Sequence, residues 1–136
     1  MSNRTAWTAF VDGKRPKARG RLKVGERNKT EARYEAHLEL RRIAGEILWY
    51  CFEGMTFKLA DDTRYTPDFA AMMRDGTLEC HEVKASEKRQ TRAGTVYRRP
   101  RIEDDARVKI EVAASMYPLV FRVVYEDGGN WVEKEY

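Results

Sequence analysis

Apolar side chains return at helical spacing through Ala32, Ala36, Leu40, Ile43 and Ile47, as one face of a helix would. The pattern predicts a helix over residues 29–44, with that stripe buried and Gly45 as its stop. Asn28 with Glu31 three residues on fits a capping box at its start. Two strand-like runs follow, 47–53 and 55–60, broken at Glu53-Gly54, and Asp61-Asp62-Thr63 turns into a third run. Strands are predicted over 64–69 and 77–85 with a turn at Arg74-Asp75-Gly76. Residues 87–101 hold Gly94 and Pro100 and read as a loop or ragged hairpin. Ala106, Ile110, Ala113, Ala114 and Tyr117 then mark a helix over 103–117 that stops before Pro118. Strands over 119–125 and 131–136 close the chain, with a turn between them.

Composition narrows the class. At 136 residues, 42% hydrophobic and 35% charged, the chain has the size and balance of one soluble globular domain. No apolar run is long enough to span a membrane, and the amino terminus lacks the apolar stretch of a secretory signal, so a cytoplasmic protein with no membrane partner is expected. Cys51 and Cys80 both lie in apolar strand-like segments, where two reduced thiols are favoured over a disulfide. With histidines only at 37 and 81, Cys/His zinc ligation has no basis.

Charge divides the chain into a basic arm, residues 1–28, and a body, 29–136. The first 29 residues carry nine Lys/Arg against Asp12 and Glu26, whereas the remaining 107 hold 17 basic and 20 acidic side chains. Arg15, Lys17, Arg19 and Arg21 cluster without intervening acids, as expected of contacts to the phosphates of a polyanion. Lys88, Arg89, Arg92, Arg98, Arg99 and Arg101 form a second basic group against Glu87 alone. Tyr97 among them offers a ring for stacking on a base.

The chemistry concentrates in Pro67-Asp68 and Glu82-Val83-Lys84. Side chains alternate along a strand, so Glu82 and Lys84 share a face while Val83 turns into the core. If the strand bearing Asp68 pairs with the one bearing Glu82, two carboxylates and an ammonium meet. Oxygen ligands of that kind suit Mg²⁺ or Mn²⁺, and such an ion activates water against a phosphodiester. His81 falls on the opposite face from Glu82, and neither histidine is assigned a catalytic part.

Thr66-Pro67-Asp68-Phe69 with Glu82-Val83-Lys84 resembles the PD-(D/E)XK nuclease superfamily, in particular the phage endonuclease I type of Holliday-junction resolvase and related small phage nucleases. The likeness covers residues 28–125 in order of elements, though only the short motifs are specific. It implies an α/β, restriction-endonuclease-like core with a central mixed sheet flanked by two helices. It also implies a metal-dependent DNA endonuclease acting on branched DNA as a homodimer in the host cytoplasm. By the same likeness Asn28-Lys29-Thr30-Glu31-Ala32 singles out Glu31 as the acid on the leading helix, with Glu35 as the fallback. The implied catalytic set is Glu31, Asp68, Glu82 and Lys84. Asp68, Glu82, the Val83 carbonyl and Glu31 are the implied ligands of Mg²⁺ or Mn²⁺, and Lys109 is a further backbone contact. The alternative is a catalytically silent nucleic-acid-binding or regulatory module that keeps the nuclease fold.

Overall fold

The computed structural model describes residues 26–136. The arm residues Arg15, Lys17, Arg19 and Arg21 lie outside the described residues.

Helix α1, Lys29–Ile43, begins with the expected capping box: Asn28 and Glu31 each accept the other's main-chain N–H at 2.8 Å. It ends where Gly45 takes φ 83°, a left-handed conformation that suits a residue without Cβ. Its predicted stripe is corrected. Leu40 and Ile43 are 67% and 69% exposed and Ala32 and Ala36 also face outward, while Tyr34 and Leu38 are fully buried. The sheet surface beneath α1 carries buried His81 and Glu79, so the packed face needs polar reach. Tyr34 with its hydroxyl, half-buried His37 and the stem of Arg41 supply it, and a search for apolar residues alone overlooks them. Leu38→Ala is therefore expected to cost about 2–5 kcal/mol, against less than about 0.5 kcal/mol for Leu40→Ala. Urea denaturation of the two variants checks this.

A mixed sheet of five strands follows: β1 (Ile47–Phe52), β4 (Phe69–Met73), β5 (Leu78–Val83), β8 (Val120–Asp127) and β9 (Asn130–Glu135), in the order β1-β4-β5-β8-β9. Only β5 and β8 run parallel among these neighbours. A parallel pair requires a crossover, and helix α2, Asp104–Met116, lies within it. Ile110 and Ala113 of α2 are buried as its spacing predicts. Neighbouring residues of β8 serve different cores. Val124 joins Tyr34, Leu38, Phe69 and Val83 under α1, and Val123 joins Cys80, Phe121 and Ile110 under α2. The two helices thus flank the sheet, in the coarse α/β arrangement expected. Gly128 and Gly129 close the β8–β9 hairpin with φ 59° and 81°, the paired positive values of a type I′ turn.

Two small hairpins sit outside this sheet. β2 (Phe57–Ala60) pairs with β3 (Thr63–Tyr65), and β6 (Ser86–Gln90) pairs with β7 (Val96–Pro100). The strand predicted over 64–69 is therefore two strands. Pro67 has no N–H to give to a ladder, so β3 ends at Tyr65 and β4 starts at Phe69 in a different sheet. The segment read as a loop or ragged hairpin is regular, with paired residues from Ser86↔Pro100 to Gln90↔Val96. Cys51 and Cys80 are both buried and are not joined in a disulfide. Among the described residues, no helix is long and apolar enough to cross a membrane.

Candidate active site

Phe69 pairs with His81 across the β4–β5 ladder. Continuing that antiparallel register by one residue sets Asp68 across from Glu82. There the main-chain ladder gives way to a side chain, with the Val83 N–H donating to Asp68 Oδ2 at 2.8 Å. On the other side Asp68 O accepts the Glu53 N–H at 2.7 Å. Asp68 is therefore fixed by strands on both flanks.

Glu82 is buried, and both its oxygens are engaged. The Tyr65 hydroxyl donates to Oε2 at 2.9 Å, and Lys84 Nζ lies 3.3 Å from Oε1. Val83 between them points into the α1 core, as strand alternation requires. Glu31 Oε2 accepts the Asn28 N–H, while Oε1 has no partner among the described residues. The cap thus engages one oxygen of this carboxylate.

Electrostatics tie the three acids together. Burial, then Glu82 and Glu31 nearby, pushes the Asp68 carboxyl well above the usual carboxylate range; the Val83 amide and Lys84 pull against them. Burial also raises Glu31, with the Asn28 N–H opposing it, and Glu53 and Glu82 raise it further. Glu35, the fallback, instead pairs with Arg27 at 2.7 Å. Like charges held in partly desolvated surroundings favour either a proton or a cation. Lys84 supplies one positive charge.

Among the described residues, no three His, Cys, Asp or Glu side chains are already gathered as a metal-holding group. The donor chemistry nevertheless fits a hard divalent ion, because carboxylate oxygens are its preferred ligands and Mg²⁺ needs few from the protein.

The basic residues fall into distinct groups. β6–β7 follows directly after the site and carries Lys88, Arg89, Arg98 and Arg99, with Arg92 in its turn. Glu87 binds both Arg89 and Arg99, at 3.1 and 2.8 Å, which fixes two guanidinium groups beside exposed Tyr97. Lys88 and Arg98 are paired residues elsewhere on the ribbon, and Arg98 also donates to Ser86 Oγ. Arg101 and Lys84 line one open cavity of about 430 Å³ with Glu103, Asp105 and Ala106 at the start of α2. Lys109 is half-buried on α2 and is not among the residues lining that cavity.

Three features escape the sequence patterns. Tyr65 holds Glu82, a role only the fold reveals because β2–β3 folds back over the main sheet. Glu53 adopts φ 48°, an uncommon value for a residue with a side chain, and its charge bears on Glu31. Glu79 and His81 are buried polar residues on a strand. Their spacing of two with Val83 was a legible signal that one inward face is partly polar. No family model, curated protein or solved structure matches this chain.

Proposed function

We propose that this chain is a metal-dependent deoxyribonuclease of the PD-(D/E)XK kind that hydrolyses phosphodiester bonds, selectively in branched DNA, as a homodimer. The observation that carries the reading is Asp68 bonded to the Val83 amide on the strand next to Glu82 and Lys84, with Glu31 coupled to both acids. Asp68 and Glu82 would hold Mg²⁺ or Mn²⁺, with the Val83 carbonyl and the open oxygen of Glu31 as further ligands. Bound there, the ion supplies Lewis-acid polarisation and an activated water.

The chain's own residues do the positioning. Tyr65 locks Glu82 by donating to Oε2, leaving Oε1 as the oxygen to be shared. Lys84 and Arg101 both line the open cavity, where the Lys84 ammonium can orient water and stabilise negative charge building on phosphate oxygens. Seated 3.3 Å from a Glu82 oxygen, it acts electrostatically rather than as a general base. The β6–β7 ribbon presents its preset guanidinium groups to the DNA backbone. Such contacts position the duplex without reading sequence.

A cleavage panel tests the reading. Four-way junctions, flaps and linear duplex are incubated with Mg²⁺, Mn²⁺ or EDTA. Junctions are expected to be cut fastest, and EDTA is expected to stop all cutting. A protein that binds these DNAs but cuts none with either ion is instead a silent binding module.

A further inference from the structure

We propose that Tyr34, acting through His81, is a positioning residue. The buried Tyr34–His81–Glu79 link sets the rotation of α1, and with it the position of Glu31 relative to Asp68 and Glu82. This rests on the proposed nuclease reading and adds a part of the chain which that reading leaves unused.

The geometry is specific. Tyr34 and His81 are fully buried, the Tyr34 hydroxyl lies 2.6 Å from His81 Nδ1, and His81 Nε2 lies 2.9 Å from Glu79 Oε1. A carboxylate oxygen only accepts, so Nε2 donates to Glu79, and in the neutral ring Nδ1 then accepts from the Tyr34 hydroxyl. Glu79 is anchored in turn by Arg122 at 3.3 Å, and Arg122 by Glu133 at 2.6 Å. The chain of contacts runs from α1 through β5 to β8 and β9. Its burial excludes a direct catalytic role, because Tyr34, His81 and Glu79 have almost no exposed surface to meet a substrate.

Glu31 stands one turn before Tyr34, so the two share a helix face. Apolar packing of Leu38 holds α1 against the sheet without fixing its rotation, since that attraction is non-directional. Other directional links from α1 to the sheet lie on its more exposed flanks or nearer its C-terminal end: Arg33 to Glu126, Tyr50 to Glu39, and Arg41 to Glu133. Tyr34 is fully buried, and it stands one helical turn from Glu31. Removing it frees the first turn to rotate, and a misplacement of about 1 Å is enough to impair a reactive site.

Tyr34→Phe deletes one oxygen and keeps the ring. The expected result is an approximately tenfold weaker affinity for Mn²⁺, measured by calorimetry without DNA, and an approximately tenfold lower kcat. KM for DNA should stay unchanged. Leu38→Ala, which loosens the same helix by packing alone, should alter neither readout more than about twofold in the folded protein. Equal losses in both variants would reduce the link to general stability and overturn the proposal, as would unchanged Mn²⁺ affinity in Tyr34→Phe. If the single variant does not fold, Tyr34→Phe/His81→Leu removes both members of the hydroxyl–imidazole bond, leaves Glu79 on Arg122, and is read the same way. Wild-type protein that takes up no Mn²⁺ would end the nuclease reading, and positioning would then be judged from crystal structures of wild type and Tyr34→Phe. A Glu31 carboxyl displaced by about 1 Å or more upholds it, and one that stays in place overturns it.

Discussion

Glu82→Gln is expected to lower Mg²⁺-dependent cleavage about 10³-fold while DNA affinity stays within about twofold. The amide is the right replacement because Glu82 does two jobs. Its Oε2 accepts from the buried Tyr65 hydroxyl, and its Oε1 meets Lys84. Alanine would strand the Tyr65 hydroxyl at a cost of about 1–3 kcal/mol, mixing unfolding with lost chemistry. Glutamine still accepts from Tyr65 through its one oxygen, while its NH2 replaces the oxygen that Lys84 now meets. On the proposed reading the phosphate contacts come from elsewhere, the β6–β7 ribbon and Arg101, so electrophoretic mobility shifts should be preserved. Cleavage by Glu82→Gln within about tenfold of wild type would show that this carboxylate holds no reacting group.

Asp68→Asn should have the opposite effect on stability, raising that of the metal-free protein by about 0.5–2 kcal/mol at neutral pH. Burial and two neighbouring acids hold the Asp68 carboxyl above its ordinary range. An acid whose folded pKa lies above its unfolded value binds its proton more tightly in the folded chain. Its contribution to stability is complete below the unfolded pKa and is lost as pH rises through the raised folded value. Asparagine keeps an oxygen to accept the Val83 N–H and never ionises. The gap in thermal midpoint between variant and wild type should therefore open as pH rises through that window and close in acid. Mg²⁺ should narrow it by stabilising wild type alone. Glu39, Glu79 and Glu87 are held below their usual range by partners and titrate in both proteins, so they cancel and the difference reports Asp68 together with its influence on the neighbouring acids. A gap constant from acid to neutral pH would refute the assignment of that raised pKa to Asp68.

The two acids and the lysine were legible because strand alternation and the Arg74–Gly76 turn fix which side chains meet, whatever lies around them. The turn forms as read, with the Thr77 N–H donating to Asp75 Oδ1. The edge of the motif was harder. Pro67 looked like part of one strand, yet its missing donor divides the segment between two sheets. The buried face of α1 was misread because its hydrophobic pattern was counted without asking what the sheet offers in return. A surface carrying His81 and Glu79 selects a tyrosine and the flanks of a histidine and an arginine, and leaves Leu40 and Ile43 outside. Tyr65 and Glu53 reach the site through long-range folding of β2–β3 and the end of β1, for which no local spacing gives a sign.

The last rung between β4 and β5 is made by a carboxyl group standing in for a carbonyl. Truncating residue 68 would therefore unfasten the sheet's end along with deleting a charge. An inactive alanine there is ambiguous evidence about chemistry, whereas an isostere separates the two effects. The same bond ties vocabulary to architecture: whatever ion, proton or substrate seats on that carboxyl also decides how firmly the neighbouring strand is zipped.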